Sequence, residues 1–314
     1  MKAIVLKEFG GTENLSIEEL PVPVPSDEEV LIRVKAISIN PVDVKTRVGK
    51  GMAGRLKDEK PLILGWDISG TVTAIGKNVT SFKEGDEIFG MVNFPGHGKA
   101  YAEYVTAPAH QMALKPKNIS HEEAAAATLA ALTAWQALTE NANVQKGQKV
   151  LIHAAAGGVG HFAVQFAKYL GAFVAGTSSA ANKDFVLSLG ADQHIDYHAQ
   201  PLLSAISEVD FVLDTIGGDN IDKSIGIIKK GGTLISIPSG LNEAVTEKAK
   251  AAGINGYFFL VKSSGTDMQK IAGLLEKGII KSHVSKTFPF EQMAEAHKQV
   301  ETGKTRGKIV VTIS

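Results

Sequence analysis

One eight-residue stretch constrains this chain more than any other: His153-Ala154-Ala155-Ala156-Gly157-Gly158-Val159-Gly160. Val150-Leu151-Ile152-His153 leads into it and is largely apolar, as expected of a parallel strand buried on both faces. Beyond it, Val159, Phe162, Ala163, Phe166, Ala167 and Leu170 recur at the spacing of one helical face. A strand, a glycine-rich turn and an amphipathic helix in that order predict a βα unit that holds the pyrophosphate of a dinucleotide. Gly157 and Gly158 let the backbone approach the phosphates, and Gly160 lets the helix pack on the strand. The first helical turn, with Val159 in it, supplies N–H groups and positive potential. Aligned on G-x-G-x-x-G, Ala155 stands where the first glycine would be, so the pattern is a variant.

About twenty residues on, a site for NAD places an Asp or Glu at the end of the second strand, where it binds the ribose 2′-hydroxyl. Here that strand ends Ala175-Gly176-Thr177-Ser178-Ser179, without an acid. An acid would repel a 2′-phosphate. Ser178, Ser179, Lys183 and, after the third strand, Tyr197 instead offer hydroxyls and a cation, so the expected cofactor is NADP(H). The same serines would also cap a helix while Lys183 stays solvated; capping and phosphate binding use one geometry.

The rest of the chain has two textures. Residues 1 to about 120 read as short strands, such as Leu31–Ala36, Gly70–Ile75 and Asp86–Gly90, broken by Pro and Gly turns in the manner of a compact antiparallel unit. From 121 to 279 strands at Val150–His153, Phe173–Gly176, Phe211–Asp214 and Thr233–Ile237 alternate with helical segments. That alternation implies a doubly wound parallel sheet of Rossmann type with right-handed crossovers. The tail, about 280–314, returns to strand-like text and is expected to rejoin the first domain. Thr215 and Ile216, and Pro238-Ser239-Gly240, follow sheet strands at the carboxyl edge, where ligands bind.

Composition removes other classes of function. Lys plus Arg equals Asp plus Glu at 33 each, so no net field recruits nucleic acid or anionic lipid. The apolar run Ala124–Leu138 is too short to span a bilayer, and Met1–Leu6 lacks the pattern of a secretory signal. A cytoplasmic protein is expected. There are no cysteines, which excludes thiolate chemistry and every zinc site with a Cys ligand.

Ile39-Asn40-Pro41-Val42-Asp43-Val44-Lys45, Gly65-Trp66-Asp67-Ile68-Ser69-Gly70, Leu132-Thr133-Ala134-Trp135 and the glycine-rich turn together resemble the medium-chain dehydrogenases/reductases, in their quinone oxidoreductase and 2-alkenal reductase branch. The resemblance runs nearly end to end. It implies a GroES-like, β-rich catalytic domain beside the Rossmann domain, an active site in the cleft between them, and a homodimer. Zinc-dependent members place Cys, His and Cys where this chain has Asn40, Trp66 and, near the third position, Leu129; His97, His110 and His153 make no metal-ligand spacing. Without zinc nothing stabilises an alkoxide, whereas a quinone or an α,β-unsaturated carbonyl accepts hydride unaided. By the same resemblance Lys45 reaches cofactor or substrate, Asn40 orients the acceptor carbonyl and Thr133 bonds near the nicotinamide ribose. Phe258 and Phe259 wall the nicotinamide, and Arg306 and Lys308 reach the cofactor. For each an ordinary alternative stands: a solvated Lys, a turn Asn, a helical Thr bonding its own backbone, a core Phe pair. Asp43 and Asp67 hold structure. The alternative function is a cofactor-binding redox sensor or structural protein with little turnover.

Overall fold

The computed structural model describes residues 1–238 and 242–314; Ser239 and Gly240 of the expected carboxyl-edge segment lie outside the described residues. The chain divides into two compact units, Met1–Leu132 with Val261–Ser314, and Thr133–Leu260.

The first unit is β-rich. Strands β1 (Lys2–Leu6) and β2 (Leu15–Glu19) form an antiparallel pair. Strand β3 (Glu29–Ile39) is followed by β4 (Asp67–Ile75), β5 (Glu87–Met91), β6 (Tyr104–Pro108) and β7 (Met112–Leu114). Most hydrophobic residues of β3 and β4 turn inward, with Ile32, Ile37 and Ile68 fully buried.

The second unit is one six-stranded parallel sheet: β8 (Lys149–Ile152), β9 (Phe173–Ser178), β10 (Gln193–Asp196), β11 (Val209–Asp214), β12 (Ile228–Ser236) and β13 (Asn255–Phe258). Their spatial order is β10-β9-β8-β11-β12-β13. The order reverses between β8 and β11, the point at which an open α/β sheet leaves a crevice beyond its carboxyl ends. Val150, Leu151, Ile152, Val212 and Leu213 are fully buried there, which is why these strands read as continuous apolar runs. The α/β class, with a Rossmann-type sheet and a separate β-rich unit, is the one expected.

The chain then returns to the first unit with β14 (Val284–Pro289) and β15 (Lys308–Thr312), and β15 pairs antiparallel with β3. The unit boundaries differ from those expected at about 120 and 280. Helix His121–Ala126 packs on β3, β4 and β15, and helix Gly265–Glu276 packs on β7, so both belong to the β-rich unit. Ala125 and Ala126 share a small core with Ala36 and Val310. Periodicity announces a helix but not the sheet it covers.

Candidate active site

The glycine-rich turn is built around one carbonyl. Ala154 adopts φ +45°, a left-handed conformation that side chains avoid, and its oxygen accepts from Gly157 N at 2.8 Å. A Cβ on Gly160 would lie 2.2 Å from that oxygen, so only glycine fits at that point of the helix Gly158–Tyr169. Ala155 N donates to Thr177 O at 2.9 Å, and its Cβ fills the space that a side chain on Gly176 would need. Two expected contact residues therefore serve the turn itself: Ala155 is fully buried packing, and the Gly157 N–H is already used. The N–H groups of Gly158, Val159 and Gly160 belong to the first helical turn, where no intrahelical acceptor exists.

His153 ties this turn to its neighbours. Its Nδ1 lies 3.1 Å from Thr177 Oγ1 and its Nε2 3.0 Å from Ser224 Oγ, while its carbonyl accepts from Thr215 Oγ1 at 3.0 Å. Burial pushes the ring down to about 4, against the nearby Asp214 charge, so it is neutral at pH 7. At the end of β11, buried Asp214 accepts from Ile216 N (3.0 Å), Gly217 N (3.1 Å), Asn220 Nδ2 (3.0 Å) and Ser236 Oγ (2.8 Å). This fixes the loop in which Ile216 is exposed at 51%. Pro238, Phe258 and Phe259 are half-exposed, which sets the two phenylalanines apart from ordinary core.

At the end of β9, Ser178 is buried and Ser179 half-buried, while Lys183 and Tyr197 are exposed. Ser178 Oγ donates to Ser179 O at 3.1 Å and lies 2.8 Å from His194 Nε2. His194 was not among the expected site residues. Thr133 is buried in the helix Leu129–Gln136.

In the β-rich unit, Lys308 and Asn40 meet across 268 residues. The Lys308 ammonium donates to Asn40 Oδ1 and, at 3.0 Å, to Ile39 O. Asn40 Nδ2 donates to Asp67 Oδ2 at 2.7 Å and to Ser38 O at 3.5 Å, and Asp67 Oδ1 accepts from Leu129 N at 3.0 Å. Asp43 Oδ2 accepts from Asn40 N at 2.5 Å; its Oδ1 is buried without a partner. Burial, then the like charge of Asp67, pushes Asp43 up to about 8, against the Asn40 hydrogen bond and the Lys308 charge. Burial also raises Asp67 and lowers Lys308, each held back by the other's charge. One cation and two carboxyls make a neutral cluster when Asp43 keeps its proton and the better-bonded Asp67 is the anion.

This changes two readings. Asn40 is 1% exposed with both amide ends occupied, and Lys308 is 3% exposed and turned into its own unit. Neither offers a polar atom to an acceptor or a cofactor. Arg306 is exposed. Lys45, in the last turn of helix Pro41–Arg47, is half-buried.

Known proteins share this architecture. A family model described as "Alcohol dehydrogenase GroES-like domain" matches residues 26–117, and one described as "Zinc-binding dehydrogenase" matches residues 189–311. The "NADPH-dependent alkenal/one oxidoreductase, chloroplastic" of Arabidopsis thaliana is 36% identical over 99% of this chain and 79% of its own length. This chain belongs to the medium-chain dehydrogenase/reductase family. The "2-methylene-furan-3-one reductase" of Solanum lycopersicum is 34% identical over the same shares. The structure of the quinone oxidoreductase from Coxiella burnetii superposes with a TM-score of 0.95 at 38% identity, covering 100% of this chain and 99% of that one.

The zinc of the second family description does not fit the residues present. Trp66 is buried with its indole donating to Gly96 O at 2.7 Å, Leu129 is an apolar residue, and Asn40 is held by a lysine cation. His97 is held by Ile63 O at 2.7 Å and Glu59 at 3.0 Å. Among the described residues no group of three or more His, Cys, Asp or Glu is placed to hold a metal ion.

Proposed function

We propose that this chain is an NADPH-dependent reductase of quinones and α,β-unsaturated carbonyls that works without zinc. The observation that carries the proposal is the sheet's switch point. There the uncommitted N–H groups of Gly158, Val159 and Gly160 stand beside a second strand that ends in Ser178 rather than an acid. The relatives support the reaction class: the names of all three describe oxidoreductases, and one is named for NADPH. The alternative of a redox sensor with little turnover has no such support.

The bound cofactor supplies a hydride equivalent to a small electrophilic acceptor, and a proton from water completes the two-electron reduction. The protein's part is to bind, orient and exclude water. The first helical turn holds the pyrophosphate, and Ser178, Ser179, Lys183 and Tyr197 take the 2′-phosphate. Thr215, Ile216, Pro238, Phe258 and Phe259 flank the nicotinamide half, with Thr133 at its ribose and Arg306 at the cofactor's periphery. Lys45, whose ammonium has no ion pair or hydrogen bond to the described residues, is the residue we assign to the acceptor. Asn40 acts at one remove, by holding Lys308 and Asp67.

Two measurements test this. Purified protein should oxidise NADPH with a small quinone or 2-alkenal and should not reduce NADP with ethanol. Lys183→Ala should weaken NADPH by about 1.5–3 kcal/mol, the range for hydrogen bonds to a charged group, and leave NADH nearly unchanged. Equal loss for both cofactors would show that Lys183 acts through structure. Cytoplasmic residence and a homodimer belong to the same proposal and are checked by cell fractionation and light scattering. Among the described residues no helix is long and apolar enough to cross a membrane.

A further inference from the structure

Strand β10 is an edge strand of the parallel sheet, and among the described residues its only strand neighbour is β9. The register sets His194 opposite Gly176 and Asp196 opposite Ser178. Side chains alternate along a strand, so His194, Asp196 and Ser178 share one face, while Ile195 is buried on the other. The His194 ring runs along that face to bring Nε2 within 2.8 Å of Ser178 Oγ. Ser179 O also accepts from the Ser178 hydroxyl, and a hydrogen bond with the Ser179 backbone raises the proton affinity of the ring, so the imidazole stands among the polar groups at the end of β9.

We infer that His194 is a specificity-determining residue for NADPH, binding the 2′-phosphate together with Ser178 and Lys183 and taking up a proton as it does so. The inference rests on the NADPH reading above and adds to it a residue and a pH dependence. The electrostatics of the free protein favour a neutral ring. Burial lowers its proton affinity and the Lys183 ammonium at the start of helix Lys183–Ser188 adds to the lowering, while the carboxylate of Asp196 on the same strand and a hydrogen bond with the Ser179 backbone oppose it. That helix, which packs on β10, also carries Asp184. The turn after β10 carries Tyr197 and His198, whose rings lie 4.3 Å apart. The uncharged segment Leu202–Ala205 meets the strand through Ala205 O, which accepts from Gln193 Nε2 at 3.1 Å. A phosphate seated beside Ser178 reverses the balance. It offsets the repulsion from Lys183 and gives the imidazolium a charge-assisted partner.

The sign of the proton balance makes the inference testable. A phosphomonoester with its second pKa near 6 is partly protonated at neutral pH. Binding it to lysine and hydroxyls alone releases a fraction of a proton. If His194 is protonated in the complex, binding takes protons up instead. Calorimetry of NADPH and NADH binding at pH 7, in two buffers of different ionisation enthalpy, reads this number directly. We expect net uptake for NADPH and none for NADH in the unmodified protein. His194→Gln keeps an N–H donor but no titratable charge; it should abolish the uptake and reduce the NADPH-over-NADH preference on the order of tenfold, the equivalent of about one pKa unit. Unchanged NADH affinity in the same variant shows that its fold and the rest of the site are intact. If that control fails, the ring of the unmodified protein, followed by NMR, still decides: its titration should move to higher pH with NADPH and not with NADH. Equal proton counts and equal preference in the two proteins, or a ring that does not respond to NADPH, would overturn the role of His194. An unmodified protein that binds NADPH no better than NADH would instead overturn the cofactor preference, and the inference with it.

Discussion

Asp67 and Asp214 are both fully buried, and each accepts hydrogen bonds from backbone N–H groups near a helix start. Their surroundings differ. Asp214 is surrounded by Ile216 N, Gly217 N, Asn220 Nδ2 and Ser236 Oγ, neutral donors, and among the described residues no cation forms an ion pair with it. Asp67 has fewer donors and a second carboxyl, Asp43, close by, and it relies on the Lys308 charge and on a proton kept by Asp43. The first arrangement fixes a loop at the carboxyl edge of the parallel sheet and leaves the neighbouring first-turn N–H groups for a ligand. The second closes on itself. Its cation comes from the chain itself, Lys308 bound to Asn40.

The largest test removes the internal cation. Lys308→Met should cost about 3–5 kcal/mol, because it leaves Asp67 as an uncompensated buried charge. Adding Asp67→Asn should recover much of that loss. Denaturant unfolding of the two variants measures both steps, and a loss under about 1 kcal/mol for Lys308→Met would break the contrast between the two aspartates.

On the other side of the comparison, Asp214→Ala strands the Ser236 hydroxyl and the Ile216 and Gly217 N–H groups. It should cost about 3 kcal/mol and, if this loop flanks the nicotinamide half as proposed, weaken NADPH and NADH alike. A selective loss of NADPH would contradict the assignment of this loop to the nicotinamide half.

The smallest effect is one of pH. A carboxyl whose folded pKa is raised to about 8 binds its proton more tightly folded than unfolded. The stability it contributes is fully present below about 4 and is lost as pH rises through about 8. Lys308, lowered from 10.5, acts with the opposite sign, on the approach to that value from below. Asp43→Asn should change stability at pH 6 by less than about 1 kcal/mol, because the neutral amide resembles the protonated acid, and should flatten the decline between pH 6 and 8. A variant that declines as steeply as the parent would place the proton elsewhere in the cluster.

The glycine-rich turn was legible because its needs are local: a carbonyl approached by Gly160 admits no side chain, and the preceding strand and following helix carry their own periods. The absence of an acid at the end of β9 was legible for the same reason. Lys308 was not. It opens an apolar strand at the chain's end, where a solvated lysine is ordinary, and nothing local reveals an amide partner 268 residues away. Asn40 shared that fate, since its saturation depends on Lys308 and Asp67. His194 lay in a strand too short to stand out; the one available signal was an aromatic base two residues before an acid, facing the same way as Ser178. The allegiance of helices His121–Ala126 and Gly265–Glu276 was hidden because amphipathicity is blind to which sheet lies beneath.

The central claim, hydride delivery to an electrophile without a metal, is tested most directly by label transfer. Protein stripped with chelator and shown by elemental analysis to hold far less than one zinc per chain would be given NADPH deuterated stereospecifically at C4, together with a 2-alkenal. The account predicts sustained turnover with deuterium on the β-carbon of the saturated product and solvent hydrogen on the α-carbon. Activity that returns only with stoichiometric zinc, or metal-free protein that binds NADPH and reduces no electron-poor acceptor, would contradict it.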